Sequence, residues 1–298
     1  MKNNQGNPWS KIKTVWELTR AEHGLMYGFG VLIGIIIAGG SAYETAIFGF
    51  FTALFIQAGT FALNDYCDLE SDIANRRMDR PLVRGELRKE EALLIACFAT
   101  AIGIIFAAFL AVFLNNPILF LLALTLAVSG ILYDVKMKEF FAVSNFYIAF
   151  TMAVPFIFGG LIAEPGKIET ALLILSSIAF LAGFGREVMK DIADVKGDAL
   201  RNVRSVARIY GMENAKRVVV FSYSIAVILS VIPFFSVNTS YFHNTAYLLP
   251  VIVADALFVH TCFGLRKGAD INYNYMRKET LIAIAIGLIA FISGALLR

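Results

Sequence analysis

Long apolar runs recur nine times in this sequence, at roughly 24–43, 45–63, 92–114, 117–134, 141–162, 169–186, 216–236, 246–265 and 279–297. Each is close to the ~20 residues that a helix needs to cross about 30 Å of hydrocarbon. Inside a bilayer the backbone has no water to bond, which excludes open strands and lipid-exposed loops and leaves the helix. Composition agrees: 58% of the 298 residues are hydrophobic and 16% are charged. A soluble domain carries about a quarter charged. The runs therefore predict an all-α, polytopic membrane protein with nine transmembrane helices. A very tight turn joins the first two, and Pro155 inside the fifth predicts a kink.

The basic residues give the orientation. With the N-terminus cytoplasmic, 24 of the 26 Lys and Arg fall on the cytoplasmic side, and only Lys167 and Arg298 lie opposite. The positive-inside rule then predicts a multi-pass protein of the cell membrane, N-terminus inside and C-terminus outside. Three cytoplasmic segments, about 64–91, 187–215 and 266–278, are longer than a turn and form a candidate cap on a single membrane domain spanning 1–298. The net charge of +3 averages a basic face over a nearly uncharged one. That basic face favours anionic headgroups and substrates. Its charges sit in short loops, so nucleic acid is not an expected partner. Cys67, Cys97 and Cys262 lie in or beside spans and imply no disulfide framework. The polar first 20 residues lack the apolar core of a signal peptide.

Two acidic clusters stand at the mouths of the second and sixth runs. Asn64, Asp68 and Asp72 follow i, i+4, i+8 spacing, with Asp65 beside them, and Asp191, Asp194 and Asp198 follow i, i+3, i+7. At about 100° per residue each set shares one helical face. An isolated charged cluster at a helix end is ordinarily solvated. A second cluster on the same predicted membrane face shifts the balance toward a shared site for a hard divalent cation. Mg²⁺ prefers a few carboxylates plus substrate phosphates over a closed protein cage, so the expected ligand is Mg²⁺–diphosphate. Spacing of about four helices between the clusters predicts a ring in which the second and sixth spans approach each other.

Arginines continue both clusters: Arg76, Arg77, Arg80 and Arg84 after the first, Arg201, Arg204 and Arg208 after the second. Pro81 and Gly85 mark a turn among the former. Guanidinium binds phosphate bidentately, which makes Arg76, Arg77 and Arg80 candidates for diphosphate binding. Tyr133, Lys136 and Lys138 end the fourth span, where a lysine serves as a point-charge ligand or as a snorkelling anchor. Lys190 lies beside Asp191 and joins the diphosphate candidates. Asp65, Arg84, Arg186 and Glu187 are further candidates, Glu187 lying one turn before Asp191 on the same face. His23, His243 and His260 form no metal-ligand spacing.

Taken together, Asn64-Asp65-x-x-Asp68-x-x-x-Asp72, the Asn75…Arg80-Pro81…Gly85 continuation and Gly185-Arg186-Glu187…Lys190-Asp191-Ile-Ala-Asp194-Val-Lys-Gly-Asp198 resemble the UbiA-type intramembrane prenyltransferases. The resemblance covers roughly Glu17 to Gly211 and implies nine helices around a central cavity with an extramembrane cap. It also implies Mg²⁺ as cofactor, holding an isoprenyl diphosphate between the two Asp motifs. By position, Asn64, Asp68 and Asp72 match the first metal–diphosphate motif, Asp194 and Asp198 the second, and Asp191 the acidic residue preceding it. Asp68, Asp72, Asp194 and Asp198 are then the expected catalytic carboxylates. Tyr133 matches a tyrosine that precedes a lysine. The sequence departs from the quinone-pathway wording in Tyr133-Asp134-Val135-Lys136, and Arg204-Ser205-Val206-Ala207 replaces a Thr-Leu-Pro stretch.

Both motifs are worded most like the archaeal digeranylgeranylglyceryl phosphate synthases. That likeness implies transfer from geranylgeranyl diphosphate to the hydroxyl of geranylgeranylglyceryl phosphate, a lipid-like acceptor, in ether-lipid synthesis. An aromatic acceptor such as 4-hydroxybenzoate, in quinone synthesis, is the alternative. A membrane transporter with an acidic cation site would place its carboxylates near the bilayer midplane, whereas these stand at helix mouths. A CDP-alcohol phosphotransferase would carry an Asp-Gly-x-x-Ala-Arg signature, which is absent.

Overall fold

The computed structural model describes residues 8–137, 140, 143–200, 205–266 and 271–297, with all their side chains except those of 8 and 196–200. Among them the chain is helical without a strand. It forms two compact units, Met1–Leu32 with Ala42–Lys136, and Ile33–Ser41 with Met137–Arg298. Among the described residues, eight helices are long and apolar enough to cross a membrane, and a ninth span is available where two shorter helices, meeting at 60°, count as one.

The first unit is built from α1 (Pro8–Thr19), most of α2 (Ala21–Ile37), α3 (Tyr43–Ala74), α4 (Lys89–Phe113) and α5 (Pro117–Val135). Helices α1 and α2 are the bent pair, with Arg20 between them at φ 44°. Helix α2 stops six residues short of the expected boundary at 43. Gly39 takes φ 77°, and the Gly39 and Gly40 amides bond back to the Ile36 and Ile35 carbonyls. Glycine closes a helix this way because it has no Cβ to clash in the left-handed region. Helices α3 and α4 pack in close contact. A Cβ built at Gly59 would lie 2.1 Å from Thr100 Oγ1, the small-residue approach that apolar helices use in lipid.

The second unit contains α6 (Val143–Ala163), α7 (Thr170–Leu200), the short α8 (Val206–Tyr210), α9 (Met212–Phe235), α10 (Thr245–Arg266) and α11 (Tyr273–Leu296). Helix α6 continues through Pro155. One part of its core sets Tyr241, Tyr247 and Phe291 edge to face. The two buried phenols reach backbone carbonyls, Tyr241 Oη donating to Phe291 O at 3.0 Å and Tyr247 Oη to Ser230 O at 2.6 Å. A second core, with Val188, Met189, Ile192, Val219 and Tyr223, underlies the later acidic motif.

Helices α3 and α7 both run further than their apolar stretches. α3 continues through Asp72 to Ala74, and α7 through Asp194 to Leu200. The acidic residues therefore stand on the membrane helices themselves, and the parts of the expected cap at 64–74 and 187–200 are helical extensions. α3 ends in a Schellman motif: the Arg77 amide bonds to Asp72 O and the Arg76 amide to Ile73 O, both at 3.0 Å. Arg76 takes the left-handed position at φ 53°, where glycine is usual.

Candidate active site

In the first unit, the helical face read from spacing is present as contacts. Asn64 Nδ2 donates to Asp68 Oδ2 at 3.1 Å, one turn along α3, and to Asp134 Oδ1 on α5 at 3.0 Å. With both N–H groups on carboxylates, the Asn64 carbonyl oxygen is left as a ligand. Asp65, the next residue, is 1% exposed. Arg20 Nη2 donates to its Oδ1 at 2.7 Å, and Arg80 Nη1 lies 3.6 Å from the same oxygen. Arg20 also stands over the Phe61 ring, 4.4 Å from its centroid, a contact that favours a desolvated guanidinium. Arg80 is the hub of this cluster: its Nε is 4.0 Å from Asp72 and 3.6 Å from Asp79.

The remaining basic candidates of this unit divide. Arg77 makes a two-pronged bond to Asp79, at 3.0 and 2.9 Å. This hydrogen bond holds the Asp79 carboxyl down at about 2. Arg84 clamps Glu86 through two nitrogens and pairs with Glu17, which docks α1 on the 78–88 segment. Its bonds lower Glu86 below the ordinary carboxylate range. Arg76 and Lys136 are exposed, and Tyr133 is half-buried. Arg84 is thereby brought to glutamates and not to the Asp face.

In the second unit, Asn145 of α6 donates to Asp191 Oδ2 at 2.8 Å and is itself buried. Asp194 is exposed, and Lys190 pairs with Glu187 at 3.4 Å along α7. Arg186 is half-buried with its Nε unbonded. The side chain of Asp198 and the whole of Lys138 lie outside the described residues, as do Arg201 and Arg204.

Sequence reasoning missed Arg20, Asp134 and Asn145. Asp134 and Asn145 have a signal in retrospect, since a charge or amide inside an apolar run needs a partner, whereas Arg20 lies in the polar stretch before the first run and has none. The partner is not local. Among the described residues, no three His, Cys, Asp or Glu side chains form a metal site by themselves. The donors present still fit Mg²⁺: they are hard oxygens, and Asn64 Oδ1 and the Asp68 carboxylate share one helical face. Mg²⁺ completes such partial sets with water and substrate phosphate oxygens.

Comparison with known proteins agrees with this picture. Residues 27–276 match the model of the UbiA prenyltransferase family. The chain is 45% identical over 289 residues to the digeranylgeranylglyceryl phosphate synthase of Archaeoglobus fulgidus, covering 95% of this chain and 96% of that one. It is 32% identical over 300 residues to the Methanosarcina mazei enzyme of the same name, covering 95% and 98%. A solved structure described as a digeranylgeranylglyceryl phosphate synthase superposes with a TM-score of 0.81 at 28% identity, over 97% of this chain and 100% of that one. A UbiA homolog from Archaeoglobus fulgidus bound to GPP and Mg²⁺ shares the fold, with a TM-score of 0.66 at 20% identity over 93% and 99%.

Proposed function

The chain belongs to the UbiA prenyltransferase family, and we propose that it transfers a geranylgeranyl group from geranylgeranyl diphosphate to the free hydroxyl of geranylgeranylglyceryl phosphate. The observation that carries this reading is similarity along nearly the whole chain to a relative that bears that activity in its name. The solved homolog bound to GPP and Mg²⁺ supports the donor half.

In this reading Asn64, Asp68 and Asp72 of one motif and Asp191, Asp194 and Asp198 of the other are the residues that would hold Mg²⁺, whose charge would favour binding of the diphosphate. When bound, Mg²⁺ neutralises negative charge developing on the departing diphosphate. Arg80 is poised for the same electrostatic task, since three carboxylates already orient it and its Nε has no hydrogen bond of its own. Asn64 fixes the Asp68 carboxylate, and Asn145 fixes that of Asp191. The allylic carbon then meets the acceptor hydroxyl away from bulk water, which limits hydrolysis of the donor. The carbon–oxygen ether bond forms as the diphosphate leaves, and the hydroxyl proton passes to diphosphate or to a carboxylate. The excess of Lys and Arg on one predicted face supports a site opening on the cytoplasmic side.

The test is a radiolabelled geranylgeranyl diphosphate assay offering geranylgeranylglyceryl phosphate and 4-hydroxybenzoate to the purified protein. Prenylated glyceryl phosphate is expected. Product with the aromatic acid alone would overturn the acceptor. Asp68→Ala and Asp194→Ala should each lower turnover by about 10²–10³, the scale set by losing one charge-stabilising group. Wild-type turnover in both would remove the proposed metal site.

A further inference from the structure

Close to the second acidic motif the second unit holds two arginines that make no ion pair among the described residues. Arg186 lies on α7 and Arg277 near the start of α11, and α7 packs against both α9 and α11. Each buries its Nε completely without a hydrogen-bond partner. Among the described residues no carboxylate lies within 4 Å of either guanidinium. The two interact electrostatically with each other and with the Tyr223 hydroxyl of α9, which is itself buried without a full hydrogen bond. The acidic side chains nearest in sequence bond elsewhere, and Glu187 acts on Arg186 only through space. Glu187 bonds Lys190, and Glu279 bonds His260 at 2.8 Å and Thr261 at 2.7 Å.

The arrangement is built. A Cβ at Gly185 would lie 2.4 Å from the Tyr223 ring, so only glycine lets that ring seat against α7 beside Arg186. A buried donor left unsatisfied is destabilising, more so when it is charged. Two like charges held together add to that cost. The charge and donor count match one ligand class. A phosphomonoester carries about −1.5 to −2 at neutral pH and offers three acceptor oxygens. Two guanidinium forks and one phenolic O–H supply the complement.

We propose that Arg186, Arg277 and Tyr223 form a subsite for the phosphomonoester of the lipid acceptor, separate from the residues that hold the donor diphosphate. This rests on the acceptor assigned above. Arg186 and Arg277 act here as binding and positioning groups that fix the acceptor by its phosphate, with its hydroxyl left free to react.

The experiment compares wild type, Arg277→Gln and Tyr223→Phe in steady-state kinetics and in equilibrium binding of geranylgeranylglyceryl phosphate without donor or Mg²⁺. Arg277→Gln should raise the acceptor KM and dissociation constant at least about 10-fold, as expected for loss of a charge-assisted bond, and leave the donor KM unchanged. Tyr223→Phe should shift both acceptor constants in the same direction by less. The phosphate-free acceptor geranylgeranylglycerol should bind wild type more weakly and be indifferent to Arg277→Gln. Inorganic phosphate should compete only at far higher concentration, which distinguishes the lipid from the free ion. A rise in the donor KM alone would assign the arginines to diphosphate and overturn the proposal, as would unchanged acceptor binding in both variants. If wild type binds the phosphorylated lipid through Arg277 yet prenylates only an aromatic acid, the subsite stands and the reaction assigned above falls. Turnover of that lipid with no dependence on Arg277 gives the converse.

Discussion

The two acidic motifs are each built on an overlong membrane helix, yet their surroundings are opposite in kind. In the first unit the buried cations meet carboxylates: Asp65 sits between Arg20 and Arg80, and the Asn64 amide bridges the Asp68 and Asp134 carboxylates. In the second unit the pairing is incomplete. Asp191 is held by Asn145, but Arg186 and Arg277, each with a buried unbonded Nε as Arg20 and Arg80 also have, find no carboxylate within 4 Å among the described residues. A motif whose charges are balanced within the protein has its geometry set before any ligand arrives. One that keeps unpaired cations has its electrostatics completed by whatever binds.

The largest effect that separates the two regions is on stability. Arg20→Ala removes the 2.7 Å partner of a carboxylate that is 1% exposed and leaves only Arg80 nearby. Breaking such a pair costs about 3–5 kcal/mol. Arg186→Met, which deletes a half-buried charge with no ion pair among the described residues, should be neutral or stabilising in the ligand-free protein. Thermal unfolding in one detergent compares them directly. Equal losses in the two variants would erase the contrast. Adding Asp65→Asn to Arg20→Ala should recover part of the loss, because the buried charge itself is then gone.

A smaller effect concerns the amides. Asn145→Ala removes one donor from Asp191 and changes no proposed ligand. Loss of such an outer partner commonly costs about 10-fold in metal affinity or activity. The Mg²⁺ concentration for half-maximal turnover should rise accordingly, with the fold intact by circular dichroism. Asn64→Ala should fall further, since it removes both the donor to Asp68 and the proposed carbonyl ligand. If Asn145→Ala matches wild type across a Mg²⁺ titration, the second motif needs no such support.

What the sequence made legible follows from periodicity. Runs of about 20 apolar residues gave the helices, and i, i+4, i+8 spacing gave the shared face that Asn64 and Asp68 realise as a bond. Arg20, Asp134 and Asn145 were not legible because their partners lie 45, 70 and 46 residues away. No local pattern encodes such a pairing. The extent of α3 and α7 was missed for a related reason. A fall in hydropathy marks where a helix leaves lipid, which is not where its backbone bonds stop. The end of α3 is set by the Schellman closure at Arg76, and no glycine marks it.

The smallest expected effect tests whether the exposed charges beyond α3 belong to the balanced network. Asp79 is held at about 2 by its hydrogen bond to Arg77, below the ~3.9 of a free aspartate. Its folded-state value is depressed, so the pair contributes above about pH 4, and that contribution is lost as pH falls toward 2. Both side chains are well exposed, at 42% and 57%, so screening keeps the contribution under about 1 kcal/mol. Asp79→Asn should therefore lower the melting temperature by no more than about 2–4 °C at pH 7. The difference should shrink as the pH approaches 2 and the wild-type carboxylate is itself protonated. A deficit at pH 7 as large as that of Arg20→Ala would make Asp79 part of the buried network, through its 3.6 Å approach to Arg80. The balanced region would then extend from Asp65 out to the loop that follows α3.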